Sequence, residues 1–539
     1  MSDIKRQTCN SKTLMNYSRA MVLALGTVRF GFYSSCMNAL GRPILIGVLG
    51  YDEVNDPKSF NTVYGMVNLL FSIGAAIGTL LGGKLADKYG RNRVFYLSMI
   101  IDLLNVAPMM IAHTAPLLIS RVLLGISTGL SSCIYNILLA EVLPSKLRGI
   151  GGSTAIFFLT SSILISAACQ NIWSFDTLVH NWRYLLIYPL LLEIVRVILF
   201  PFLFKTDTPR YIYEQSTTSS KVVSELPISP TPNIAKNYRE MKSSVEDQPI
   251  MIERPLFNET NSKEIETGAV NLNKKDEQLS VNCDPETYAK VKDALRHVYA
   301  DSELDIITDG MINFWQRQKE EGIITVGVKE LFTKSYRRQF LLGCFLGIAN
   351  QLCGVPFIIL YSTILFDQIS GNGKLVTVIT LSTNVVTSMI MIYLTSAIGR
   401  KPNMVFGSFA SSLGMLLLLI GYKTLNLPLI MASAQVYIVG FCLGLGGTVV
   451  IYIGETLPPS GIGIAFSFMW ITNGIIGLLI PIIVLASGPV PLLIFFMIFC
   501  FCSGIIVILF SIETKAKTPK DIQEEYTTSL IHLCSKKDK

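Results

Sequence analysis

The sequence predicts an all-α membrane protein: twelve transmembrane helices in two six-helix halves, with a long cytosolic segment between spans six and seven. Three observations carry that prediction. Half of the 539 residues are hydrophobic and only 15% are charged, with a mean hydropathy of +0.48. A soluble chain of this size needs more surface charge. The apolar residues gather in runs of roughly 20, long enough to cross a hydrocarbon core of about 30 Å. The turn from Gly83 to Arg93 sets Lys84, Lys88, Arg91 and Arg93 with Asp87 between two such runs, and Gly399-Arg400-Lys401 echoes it in the second half.

In chain order the spans fall near 20–40, 62–83, 93–113, 115–138, 151–171, 183–204, 338–366, 374–396, 402–421, 427–453, 461–486 and 489–511. Lys5, Arg6, Lys12 and Arg19 precede the first span. Lys146 and Arg148 lie between the fourth and fifth, and Arg400 and Lys401 between the eighth and ninth. With the Lys84 to Arg93 turn they share one side, so the bases predict that both termini are cytosolic. The loop near Tyr51 carries Asp52, Glu53 and Asp56 instead and is expected outside. The chain thus divides into a cytosolic N-terminus (1–19), a six-helix bundle (20–204), a cytosolic loop (205–337), a second bundle (338–511) and a cytosolic tail (512–539). Within the loop, Ser216 to Asn282 has the composition of a disordered segment. After Asp284-Pro285, Tyr288, Val291, Leu295, Val298 and Tyr299 recur at helical spacing and predict short helices. The basic start has no cleavable-signal pattern, so the first span is expected to target the protein, with the plasma membrane as destination.

Charges inside spans are costly unless paired or facing water. Arg29 lies about nine residues into span one, ~14 Å deep by helical rise. Asp102 in span three and Glu193 with Arg196 in span six are also intramembrane. Glu193 and Arg196 are three apart and pair on one helix face. For Arg29 two roles stay open: a buried partner such as Asp102, or attraction of an anionic substrate. Arg121-x3-Gly125-x3-Gly129 opens span four, where the glycines allow close helix approach and the arginine needs a partner or water. Glu141 and Arg148 frame the turn after that span, and with Arg91 they suggest an ion-pair cluster joining helix ends.

Other classes find little support. The net charge of +7 is explained by the topology of the bases, so no nucleic acid is expected. The 11 cysteines form no outside pair, and the four histidines lack metal-ligand spacing. No phosphate-cradling loop or nucleophile elbow is present, so no enzyme, cofactor or metal is expected.

Nine pieces in order resemble the sugar porters of the major facilitator superfamily, the group that includes the glucose facilitators. They are Phe30-Gly31-Phe32, Gly83 to Arg93, Arg121 to Gly129, Glu141 to Gly149, Thr206-Asp207-Thr208-Pro209-Arg210, Asn350-Gln351-Leu352-Cys353-Gly354, Gly399-Arg400-Lys401, Gly454-Glu455-Thr456-Leu457-Pro458, and Ile512 to Lys517. The resemblance implies alternating access about a central site in the bilayer. It implies a cytoplasmic ion-pair latch of Arg91, Glu141 and Arg148 in the first half and Arg400 and Glu455 in the second. Asp207, Arg210 and Glu513 would help dock the cytosolic helices. Gly461 and Ile462 stand where the family usually has an arginine, which predicts a weaker second latch.

The resemblance also implies sugar ligands at Asn350, Gln351, Asn384 and Asn473, amides that donate to and accept from hydroxyls. Ile156, Pro356, Leu360 and Gly447 to Val450 depart from the family's polar or aromatic residues and predict a more apolar pocket. Tyr33 stands where proton-linked members resemble one another in an aspartate, which favours facilitated diffusion. The expected function is facilitative transport of a hexose or related polyhydroxylated solute. The alternatives are a proton-linked or organic-anion carrier on the same fold, motivated by Arg29 and Asp102, and a non-transporting sugar sensor.

Overall fold

The computed structural model describes residues 2–142, 145–216, 283–320 (less 297, 300 and 302), 328–358 and 373–528 (less 516 and 518). The first half holds α1 (Ser2–Arg42), α2 (Pro57–Tyr89), α3 (Arg91–Met109), α4 (Thr114–Val142), α5 (Ser145–Ile172) and α6 (Phe175–Leu203). Two short helices follow, α7 (Pro285–Arg296) and α8 (Leu304–Glu320). The second half holds α9 (Arg337–Leu352), α10 (Gly373–Ala397), α11 (Arg400–Thr424), α12 (Leu427–Phe441), α13 (Gly447–Thr456), α14 (Pro459–Ser487) and α15 (Val490–Phe510). A tail helix, α16 (Pro519–Thr528), ends the described chain. The segment expected to be disordered, with its Asn258 sequon, lies outside the described residues.

Among the described residues, ten stretches are long and apolar enough to cross a membrane by length and composition. In α3, Arg93, Asp102 and two asparagines dilute the apolar run. In α5 (Ser145–Ile172) the described side chains form an apolar stretch over Thr154–Cys169. Span one begins earlier than expected, because the polar N-terminus continues the same helix from Ser2. Span seven breaks after Leu352, where Gly354 adopts φ +100°, and its course beyond 358 lies outside the described residues. Span ten is α12 and α13 joined by a π-turn at Cys442–Gly446.

Helix starts follow side-chain chemistry. Asp56 accepts from the Ser59 N–H ahead of Pro57, and Asn426 accepts from Leu429 at 3.1 Å to start α12. Within the first half, α2 and α4 touch backbone to backbone. A Cβ at Gly125 or Gly129 would overlap the carbonyl oxygens of Phe71 and Ala75, so the small residues set the approach.

The halves meet along two seams. On α2 and α14, Ser72 donates to Asn473 at 2.9 Å and the Thr79 and Ser467 hydroxyls are 2.8 Å apart. On α5 and α10, the Thr160 and Ser388 hydroxyls are 3.1 Å apart. At the end away from the termini, Leu45, Phe60 and Tyr64 pack into one cluster with Phe357, Ile358 and Ile480 of the second half. At the other end, α7 and α8 bury Val291, Leu295, Ile312 and Trp315 against Tyr213, and Asn16 of α1 donates to the Val298 carbonyl at 3.0 Å. The tail helix docks under the second half: the Tyr526 and Tyr452 hydroxyls are 2.6 Å apart, and Arg338 donates to the Tyr526 carbonyl at 3.1 Å.

Candidate functional site

Between the halves lies a cavity of about 340 Å³, within the size range of small-molecule sites. Asn350, Gln351, Asn384 and Asn473 all border it. Three of them form one chain of hydrogen bonds. Asn473 donates to Gln351 at 2.8 Å, and Gln351 donates to Asn350 at 2.6 Å. Asn350 in turn donates to the Leu445 and Gly446 carbonyls at 2.6 and 3.1 Å. Those carbonyls belong to the π-turn, where the regular helical pairing is interrupted, so the side chain satisfies acceptors the turn releases. Asn384 on α10 stands apart, and its amide has no hydrogen-bond partner among the described residues.

An aromatic wall faces the amides. The Trp470 ring meets Phe30 and Phe71 edge-on at 5.5 and 5.6 Å, and its buried indole N–H has no partner among the described residues. Sequence reasoning did not single out Trp470, although it sits three residues before Asn473 and so on the same helix face. Ile156 and Pro356 also border the cavity and make it more apolar there.

The intramembrane charges in the first half are joined. Arg29 Nη2 lies 2.6 Å from Asp102 Oδ2, and its Nε is 3.7 Å from Glu193 Oε2. Arg196 Nη1 is 2.7 Å from the same Glu193 oxygen, its Nε donates to the Val22 carbonyl at 3.2 Å, and its guanidinium lies over the Phe95 ring. All four side chains are at most 2% exposed. Of the two roles open for Arg29, the buried partner Asp102 is present. The expected Glu193–Arg196 pair is present too.

The basic turns at the terminus-bearing end are built alike. Gly90 and Gly399 have φ of +101° and +110°, and each is followed by an arginine that begins a helix. In each half an acid beyond the last span caps that helix. Asp207 accepts from the Arg91 and Thr208 N–H groups at 3.2 and 2.8 Å, while Glu513 accepts from Arg400 and Lys401 at 2.9 and 3.0 Å. Resemblance predicted docking of the cytosolic helices for these acids. Their geometry is instead that of helix caps, and a Cβ on Gly399 would crowd Glu513, as one on Gly90 would crowd Asp207. Arg210 pairs with Glu214 at 2.9 Å.

Arg91 gathers three carboxylates: Asp87 at 3.1 Å, Glu214 at 3.3 Å and Glu141 at 3.4 Å, with the Tyr211 ring beneath. Burial opposes the Arg91 charge, but Glu141, Glu214 and Asp87 outweigh it and its pKa rises. Burial also raises the Glu141 carboxyl, with Arg91 pulling it back. Arg400 meets one carboxylate, Glu455 at 2.6 Å, whose other oxygen accepts from Thr514. Arg148 lies on α5, and its side chain is not among those the structure describes. Among the described residues no ion pair joins the two halves.

Comparison with known proteins matches this architecture. The profile of the family described as "Sugar (and other) transporter" matches residues 20–270 and 287–526. Hexose transporter 1 of Toxoplasma gondii is 23% identical over 466 residues, covering 81% of this chain and 69% of that one. Facilitated glucose transporter member 5 of Homo sapiens is 24% identical over 540 residues, 94% of this chain and 92% of that one. The structure of the major facilitator superfamily proton:xylose symporter XylE superposes with a TM-score of 0.68 at 15% identity, covering 96% of this chain and all of the other, which shows a shared fold. With two six-helix halves around a cavity bordered by amides and aromatic rings and a family profile spanning nearly the whole membrane portion, this chain belongs to the sugar (and other) transporter family.

Proposed function

We propose that the protein carries a hexose or related polyhydroxylated solute across a membrane by facilitated diffusion with alternating access. The observation that carries this reading is the Asn473–Gln351–Asn350 chain of amides bordering a cavity between the halves, facing Phe30, Phe71 and Trp470. Amides pair with hydroxyls as donor and acceptor, and an aromatic face covers a sugar's C–H surface. Asn384 and the Trp470 indole N–H supply further contacts to the solute. Facilitated diffusion is favoured by Tyr33, whose hydroxyl donates to the Leu186 carbonyl at 3.1 Å and holds no carboxylate proton.

In this reading Arg91 with Glu141, and Arg400 with Glu455, brace the helix ends of each half so that each moves as one body. Both termini face the cytosol, and the plasma membrane is the site of action. Residues 20–204 and 338–511 are the two moving bundles. Purified protein in liposomes should equilibrate a labelled hexose without a proton gradient. Uptake that stops when the gradient is collapsed would reject the facilitated mechanism, and binding without entry would point to a sensor.

A further inference from the structure

We infer that the cavity accepts an anionic polyhydroxylated solute, a sugar or polyol bearing a carboxylate, with Arg121 as the group that meets its charge; this rests on the carrier reading above. Arg29, Arg121 and Arg196 border the cavity, and among the described residues no carboxylate does. Two of these cations are matched behind the wall, Arg29 by Asp102 and Arg196 by Glu193. Arg121 is not. It is 2% exposed, its Nη1 donates to the Tyr33 carbonyl at 2.9 Å, and its Nη2 rests 3.6 Å from the Cys36 sulfur. Its Nε has no partner among the described residues.

Neutral acceptors take hydrogen bonds from a guanidinium but leave its charge in place. A cation in a low-dielectric interior is costly without a counter-charge. The cavity therefore presents uncharged amides from the second half and an unmatched cation from the first. A solute complementary to both carries hydroxyls toward Gln351 and Asn473 and a carboxylate toward Arg121. The planar guanidinium fork suits that group. A neutral hexose would satisfy the amides and leave Arg121 without a counter-charge.

The test uses the full chain in liposomes, with radiolabelled D-glucose and D-glucuronate as probes. D-glucuronate should compete with glucose uptake about tenfold better than its uncharged methyl ester. Arg121→Gln keeps an amide in place of the charge and should lower the ratio of glucuronate to glucose uptake about tenfold, a readout independent of how much protein is reconstituted. If that variant does not fold, the competition between acid and ester in the natural protein decides alone. Equal competition by acid and ester, or an unchanged uptake ratio in Arg121→Gln, would overturn the inference. Glucose uptake that depends on chloride and ignores glucuronate would assign the charge to an inorganic counter-ion and also overturn it. In those cases glucose still enters and the carrier reading stands; entry of neither probe removes both.

Discussion

The two halves share a plan but divide the chemistry between them. The first half buries Arg29, Asp102, Arg121, Glu193 and Arg196 within its spans, whereas the second half lines the cavity with amides and, among the described residues, carries its charges near helix ends. The basic turns differ in the same direction: Arg91 is 4% exposed among three carboxylates, and Arg400 is less buried and meets one. An internal repeat thus conserves backbone devices, such as the glycine turn and its carboxylate cap, while side-chain electrostatics diverge. We read the first half as the more rigid body and the second as the one that adapts to the solute.

The largest expected effect tests the buried charges. Arg29→Ala strands Asp102 and should cost about 3–5 kcal/mol, seen as a lower melting temperature in detergent. Asn384→Ala in the second half should cost less than about 1 kcal/mol, since Asn384 has no hydrogen-bond partner among the described residues. Equal melting of the two variants would erase the contrast. Next is Gln351→Ala, which removes one hydrogen bond from each of Asn350 and Asn473, while Asn350 keeps the Leu445 and Gly446 carbonyls and Asn473 keeps Ser72. Two lost hydrogen bonds at about 0.5–1.5 kcal/mol each should raise KM for the transported solute roughly tenfold. An unchanged KM removes Gln351 from the site. Third, Arg91→Ala should lower turnover about tenfold and Arg400→Ala about threefold, with substrate preference kept in both. A larger loss at Arg400 reverses our assignment of the rigid half. Smallest, Asp207→Ala and Glu513→Ala each remove a cap worth about 1 kcal/mol, so their melting temperatures should fall by similar amounts. A cap that matters in one half only would show that the shared device is not shared in energy.

Much of the fold was legible in the sequence because lipid imposes a simple requirement. Apolar runs, interrupted by turns with bases on one side, have few arrangements in a bilayer. The Glu193–Arg196 pair was readable for the same kind of reason, since both lie on one helix. The Arg29–Asp102 contact was not decidable, because it depends on how α1 and α3 rotate against each other. Asp207 and Glu513 were found by resemblance but misread. Their capping role appears only when the chain returns, after the last span of each half, to the start of a helix far back in sequence. Asp87 was the missed latch residue with a plain signal, four residues before Arg91; Glu214 had none, lying 123 residues away. Trp470 was overlooked because an aromatic in an apolar span looks like core.

The tail has a consequence for how this carrier could be watched at work. Tyr526 is stapled to Tyr452 on α13, the helix whose Val450 and Ile451 border the cavity. A displacement of that helix must drag α16 along, and Thr527 beside the staple is exposed. A dye attached there would swing like the needle of a gauge, reporting each stroke of the carrier from beyond the lipid.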